Sequence, residues 1–179
     1  MDSKRKRPTV EEIVALLRLK PHPEEGGFFT EVYRSNDELP AGVFDDRPSE
    51  NRSLATSIFY LLTPETFSAM HRLRSDEIFH FYLGDAVTML NLHVDGRAEI
   101  LRLGTDIRNG ERLQHVVPQG VWQGCFLEDG GEFALMGTTV APGFDFRDYE
   151  AGDLTTLVRE YPHSADLIRR LLPGTDIQR

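Results

Sequence analysis

The stretch FSAMHRLRSDEIFHFYLG, residues 67–84, reads as two β-strands joined by a polar turn at Arg74-Ser75-Asp76. Side chains alternate between the two faces of a strand, which puts His71 on the apolar face of the first strand and Glu77 on that of the second. If the strands pair, an imidazole and a carboxylate point into one apolar interior. Burying both groups is costly unless they meet a partner, a metal ion or a ligand. This stretch is therefore the first candidate for a functional site.

The segments around this stretch are also strand-like. Apolar runs recur from Gly26 to Val140, and Asp95-Gly96 and Asp129-Gly130-Gly131 are typical turn sequences between them. No helical pattern separates the runs. They therefore predict an all-β fold, built as an antiparallel sandwich or barrel.

Helices are predicted at both ends of the β region. Thr9-x-x-Glu12 fits a capping box at the start of an N-terminal helix. Asp153 and Ser164 precede apolar patterns of helical period near the C-terminus. We expect these C-terminal helices to pack outside the barrel.

Length and charge limit the classes of protein that the chain can represent. Its 179 residues predict a disordered basic tail over residues 1–8 and a single domain over residues 9–179. The net charge of −9 argues against a nucleic-acid partner, which requires a basic face. The sequence shows no membrane-spanning run and no signal peptide, and the lone Cys125 fits a reducing compartment. We expect a cytoplasmic protein, with a nuclear location as the alternative suggested by Lys4–Arg7.

The stretch 67–84 partly matches a first cupin motif, G-x5-H-x-H-x3,4-E-x6-G. His71, Glu77 and Gly84 occupy their places in that motif, whereas Leu73 stands at the second histidine. Pro118 and Gly120 match the second cupin motif, in which Gln123 stands at the histidine. Similarity extends over HPEEGGFF, TSIFYLL, SDEIFHFY, VVPQGVWQG and TVAPGFDF. The chain resembles the cupin branch classed as domain of unknown function 985, and the resemblance implies a jelly-roll barrel (a double-stranded β-helix).

The departures from the cupin motifs bear on metal binding. Cupin metal sites combine three histidines with one glutamate, and imidazole is a good ligand for divalent transition metals. Here Leu73 donates nothing and the amide of Gln123 is a weak ligand. His71, Glu77 and Gln123 would hold at most a weak divalent ion, and no cofactor is required. A metal-dependent oxygenase or lyase is the alternative that a tightly bound metal would favour.

A second likeness is to the metal-free cupins that epimerise nucleotide-linked deoxysugars. The segment Gly27-Phe28-Phe29-Thr30-Glu31 is similar to their G-x-F-x-E strand, which implies that Phe29 and Glu31 contact a ligand. His71 stands at the place of their catalytic base, Tyr60 is a candidate acid, and Arg34 is a candidate for binding phosphate.

The resemblance thus implies a small-molecule-binding cupin with isomerase- or epimerase-like activity. His71 and Glu77 would transfer protons on a polar ligand, sugar or nucleotide-like. A non-catalytic ligand-binding module is the remaining alternative. His80 is out of phase with Glu77, so it contacts a ligand only if a bulge turns it inward.

Two further expectations concern the N-terminal strand and the segment 142–146. In related cupins the N-terminal strand commonly joins the sheet of a partner subunit, which implies a homodimer formed through FFTEVYRS, residues 28–35. The segment Pro142-Gly143-Phe144-Asp145-Phe146 either covers the barrel mouth as a lid or packs against the C-terminal helices.

Overall fold

A computed structural model describes residues 7–43 and 51–172 of the chain. In chain order its strands are β1 (Lys20–Pro21), β2 (Phe28–Arg34), β3 (Glu38–Leu39), β4 (Arg52–Ser53), β5 (Thr56–Leu62), β6 (Phe67–Leu73), β7 (Asp76–Gly84), β8 (Val87–Leu92), β9 (Ala98–Leu103), β10 (Gln114–Val117), β11 (Trp122–Leu127), β12 (Ala134–Ala141) and β13 (Tyr149–Ala151). Its α-helices are α1 (Val10–Leu17), α2 (Leu154–Glu160) and α3 (Ala165–Arg170).

Two antiparallel sheets enclose the core. The six-stranded sheet has the order β1-β2-β5-β12-β7-β10, and the five-stranded sheet has the order β13-β6-β11-β8-β9. Side chains from both sheets, among them Tyr60, Phe79, Met89 and Leu127, form one buried cluster between them. This arrangement confirms the expected jelly-roll barrel.

The strands that carry His71 and Glu77 lie in different sheets. β6 belongs to the five-stranded sheet and β7 to the six-stranded sheet, so the two strands do not pair as a hairpin. The short connection at Arg74-Ser75 instead carries the chain from one sheet to the other. His71 and Glu77 therefore approach the interior from opposite sheets.

A β-bulge interrupts the alternation of inward and outward side chains along β6. The pairing of β6 with β11 shifts register between Gln123 and Cys125. Strict alternation would put Phe67 on the same face as His71, but Phe67 packs in the outer cluster with the C-terminal helices. His71 keeps its expected inward direction.

The helices pack on the outer faces of the two sheets, as expected. α2 and α3 bury Leu157 and Ile168 against the outer side of the five-stranded sheet. α1 buries Ile13 in a cluster with Leu61 and Leu135 of the six-stranded sheet. The interior between the sheets is thereby left to the residues of the strands and their connecting loops.

The N-terminal basic segment is only partly described. Residues 1–6, with most of the run Lys4–Arg7, lie outside the described residues. Arg7, expected in a disordered tail, instead pairs with Asp85 at 2.7 Å and lies over the ring of Phe133. The homodimer through β2 stays a prediction.

We expect Thr9→Ala to lower the free energy of unfolding by about 1 kcal/mol, the usual value of an N-cap. The Thr9 hydroxyl accepts the backbone N–H of Glu12, and the Glu12 carboxylate accepts that of Thr9. Urea unfolding would measure the loss, with Thr9→Ser, which keeps the hydroxyl, as control. A loss below about 0.5 kcal/mol, the range of ordinary surface substitutions, would contradict this account of α1.

Candidate functional site

A cavity of about 360 Å³ lies against the inner face of the six-stranded sheet. Its inner end is polar and is formed by His22, Glu25, Tyr60 and Glu77. Its middle is apolar, with Ile58, Phe79 and Val140 among its lining residues. Its outer end is formed by Glu31, Arg34, Phe144, Asp145 and Phe146. The segment 142–146 thus contributes to the outer end of the cavity, which favours the lid interpretation.

Glu25 reaches the inner end because of the two glycines that follow it. Gly26 and Gly27 have φ values of +88° and +70°, which side chains other than glycine rarely adopt. A Cβ at Gly26 would stand 2.5 Å from the carbonyl oxygen of Phe67. The loop therefore runs directly against β6, where the N–H of Ala69 donates to the carbonyl of Glu25 at 2.8 Å.

The Glu25 carboxyl lies beside two imidazoles. Its Oε1 is 3.6 Å from Nε2 of His71 and 3.9 Å from Nε2 of His22. Burial raises the pKa of Glu25 to about 8. The carboxyl is therefore mostly protonated at neutral pH.

The tautomer of His71 is fixed by the backbone. Its Nδ1 lies 2.7 Å from the carbonyl oxygen of Ala69, which can only accept, so Nδ1 carries the proton. Nε2 then holds a lone pair on the side of Glu25, and it has no hydrogen-bond partner among the described residues. Burial lowers the pKa of His71, so the ring is neutral, and the ring of Tyr149 stacks on it at 5.2 Å.

His22 has the opposite tautomer. Its Nδ1 accepts the backbone N–H groups of Glu25 at 3.0 Å and Glu24 at 3.3 Å, so its proton is on Nε2, on the side of Glu25. Burial, followed by repulsion from His71, lowers the pKa of His22 to about 4. The ring contacts Phe29 edge-on at 4.6 Å. Oε1 of Glu25 thus lies near both the N–H of His22 and the lone pair of His71, at distances longer than a hydrogen bond.

Glu77 is a second buried acid at the inner end. Gln123, the neighbour of His71 across the β6–β11 ladder, donates its amide N–H to Glu77 Oε2 at 2.6 Å. Burial and the nearby Glu25 raise the pKa of Glu77, whereas His71 and the Gln123 hydrogen bond lower it. The interior therefore holds two carboxyl groups in different surroundings, one beside the imidazoles and one held by an amide.

The site residues predicted from the sequence do not all line the cavity. Those that line the cavity are Phe29, Glu31, Arg34, Tyr60 and Glu77. His71 and Gln123 lie behind them, where each contacts a cavity acid. The Tyr60 hydroxyl donates to the carbonyl oxygen of Gly26 at 2.8 Å, and burial raises its pKa well above the usual value, so this proton is held by the loop.

His80 is not part of the cavity. Its ring lies nearly parallel to that of Tyr82, with the centroids 6.3 Å apart, and its Nε2 is 3.3 Å from the hydroxyl of Thr139. Simple alternation along β7 therefore holds at this position, and the bulge that would turn His80 inward is absent there. The condition under which His80 would contact a ligand inside the barrel, an inward turn at a bulge, is thus not met at this residue.

Sequence reasoning assigned no role to Glu25 or His22. Both lie in the loop HPEEGG, which precedes β2 and has no strand or helix period. The available signal was the pair of glycines after two acids, because such glycines mark a loop that approaches other backbone closely.

Residues 11–152 match the family described as the Cupin superfamily (DUF985). The chain belongs to this cupin family. The Saccharomyces cerevisiae protein YML079W is 34% identical over 133 residues, an alignment that covers 70% of this chain and 66% of the yeast protein.

Two solved structures resemble this cupin over nearly their whole length. A hypothetical protein from Leishmania major has a TM-score of 0.80 and 30% identity, over 92% of this chain and 99% of that one. Protein SO0799 from Shewanella oneidensis has a TM-score of 0.79 and 33% identity, over 92% and 98%. Within the described part of the chain, none of the helices is both apolar enough and long enough to cross a bilayer.

The donor set of this cupin does not fit the three-histidine, one-glutamate metal site of its superfamily. A metal on His22 Nε2 would require a proton on Nδ1, which already accepts two backbone N–H groups. Leu73 donates nothing, and Glu77 is engaged by Gln123. In residues 7–43 and 51–172, no group of three or more His, Cys, Asp or Glu side chains is placed to hold a metal ion.

We expect the free energy of unfolding to fall as pH rises from 7.5 to 8.5, and Glu25→Gln to remove most of this slope. The folded-state pKa of Glu25 is about 8 against an ordinary 4.5, so the folded state binds its proton more tightly than the unfolded chain does. That contribution to stability is complete below pH 4.5 and is lost as pH rises through 8. One such group gives a slope of at most about 1.4 kcal/mol per pH unit.

Urea unfolding at several pH values in this window measures how the free energy of unfolding changes with pH. The window lies above the ordinary pKa of histidine, so His22 and His71 contribute little to this slope. Glu24→Gln makes the same chemical change at the exposed neighbouring position and should keep the wild-type slope. Equal slopes in wild type and Glu25→Gln would contradict a neutral Glu25.

Proposed function

We propose that the cavity binds a small carbonyl compound and that Glu25 and Glu77 transfer protons on it, as in a sugar isomerase or epimerase. The observation that carries the proposal is the Glu25 carboxyl group, which lines the cavity together with Glu77 and lies 3.6 Å from Nε2 of the buried His71. A neutral acid and an ionised acid in one site form an acid/base pair. The proposal refines the expectation from the sequence, in which His71 and Glu77 formed that pair.

The two acids have different neighbours. Burial is the largest effect on Glu77 and raises its pKa; the N–H that Glu77 accepts from Gln123 stabilises its ionised form, and a neutral Glu25 removes the charge that would raise the pKa of Glu77 further. Glu77 therefore acts as the base and Glu25 as the acid. Both line the cavity, so both can touch a ligand there.

A complete isomerisation can be written with these two groups. Glu77 removes the proton from the carbon next to the carbonyl group, and Glu25 gives its proton to the carbonyl oxygen, which forms an enediol. Glu25 then takes the proton of the neighbouring hydroxyl, and Glu77 returns its proton to the former carbonyl carbon. The aldose becomes a ketose, and both acids regain their starting state without a further reactant.

His71 and His22 are positioning residues in this scheme. His71 is buried and does not line the cavity, so its imidazole acts through Glu25. When Glu25 gives up its proton, the Nε2–H of His22 faces the new carboxylate and stabilises its charge. Nε2 of His71, with its lone pair, lies 3.6 Å from the same carboxyl group.

We expect Glu25→Gln and Glu77→Gln each to lower the rate of proton exchange on the ligand by about 100-fold or more, the usual contribution of a general acid or base. Aldoses and ketoses would be incubated with the protein in D2O, and proton NMR would follow the loss of the signal at carbon 2 of the aldose and at carbon 1 of the ketose. Glu24→Gln, on the solvent side of the same loop, should keep the wild-type rate.

Two results would overturn the proposal. One is unchanged exchange in both Glu25→Gln and Glu77→Gln. The other is a ligand that binds in the cavity and stabilises the fold but returns without deuterium, which would assign the protein to the non-catalytic binding modules.

A further inference from the structure

The positive charge in the cavity is already neutralised. Among the described residues that line it, Arg34 alone carries a fixed positive charge. Its Nε and Nη2 donate to the two carboxylate oxygens of Glu31 at 3.1 and 2.7 Å. Nη1 and Nη2 also donate to the carbonyl oxygen of Phe144, at 3.3 and 3.4 Å. Four of the five guanidinium N–H groups thus have partners.

Three further cations lie near the cavity, and none of them lines it. Arg147 is paired with Asp145 of the outer end, with Nη2 2.6 Å from Oδ2. Arg52 is buried and lies 3.4 Å from Asp148, and its Nη2 has no hydrogen-bond partner among the described residues. The ammonium of Lys20 lies 5.2 Å from the ring centre of Phe29, and Lys20 does not line the cavity. A phosphate group would therefore meet Glu31, Asp145 and the acids of the inner end before it met an uncommitted cation.

The walls of the cavity suit a neutral ligand that has an apolar face. Phe29, Phe79, Phe144 and Phe146 line it, and the last two pack edge-on with their centroids 5.0 Å apart. Rings of this kind can pack on the C–H face of a sugar, while the carboxyl groups of the inner end bind its hydroxyls. The volume of about 360 Å³ is near the lower end of the range for small-molecule sites.

We propose that the ligand is an unphosphorylated aldose or ketose, and that the Glu31–Arg34 pair excludes sugar phosphates and nucleotide-linked sugars from the cavity. The inference rests on the proposed function for the carbonyl group and adds the charge of the ligand. It narrows the sugar or nucleotide-like class expected from the sequence to the free sugars.

Matched pairs of probes test this inference. Glucose, mannose and ribose would each be titrated against the protein beside glucose 6-phosphate, mannose 6-phosphate and ribose 5-phosphate, with calorimetry to measure Kd. We expect at least one free sugar to bind at least tenfold more tightly than its phosphate.

Two variants locate the origin of this preference. Glu31→Gln releases Arg34 from its carboxylate, so it should reduce the preference for the free sugar at least threefold, chiefly by tightening the binding of the phosphate. Glu24→Gln removes the same charge outside the cavity and should leave the preference unchanged.

The inference is overturned if a sugar phosphate binds as tightly as its free sugar, if no free sugar of the panel binds, or if Glu31→Gln leaves the preference unchanged. Its failure is distinguishable from that of the proposed function. A preferred free sugar that never exchanges its carbon-2 proton removes the proposed function only. Proton exchange on a tightly bound sugar phosphate removes only the inference about charge.

Discussion

The candidate site of this cupin is arranged around one buried carboxyl group that lies beside two imidazoles. The Ala69 carbonyl fixes the proton of His71 on Nδ1, and the backbone N–H groups of Glu24 and Glu25 fix that of His22 on Nε2. Oε1 of Glu25 lies 3.6 Å from Nε2 of His71, which has a lone pair, and 3.9 Å from Nε2 of His22, which has an N–H; both distances exceed that of a hydrogen bond. Burial raises the pKa of Glu25 to about 8 and so favours the protonated carboxyl.

The jelly roll brings the two acids of the site together from separate parts of the fold. The loop before β2 places Glu25 against β6. The short connection after β6 carries the chain into the opposite sheet, where Glu77 lies near the start of β7. Gln123 spans the space between the sheets, since it neighbours His71 in one and bonds to Glu77 in the other. The two acids thus have different neighbours, an amide for Glu77 and two imidazoles for Glu25.

The sequence predicted those parts of the site that lie on regular strands. Alternation placed His71 and Glu77 inward and His80 outward, and the motif spacing predicted the barrel. The sequence did not show whether the strands of His71 and Glu77 pair with each other. A two-residue connection can close a hairpin or carry the chain from one sheet to the other, and here it does the second. Glu25 was missed because a loop has no period, and its burial depends on contacts with β6, which is distant in the sequence.

The protonation state of Glu25 tests the central claim most directly. Infrared difference spectra of wild type against Glu25→Gln, recorded across a pH titration, would isolate the carbonyl band of this one carboxylic acid. The account predicts that the band persists at pH 7 and is lost with a midpoint near pH 8. Loss of the band with a midpoint near 4.5, the ordinary value for glutamate, would contradict it.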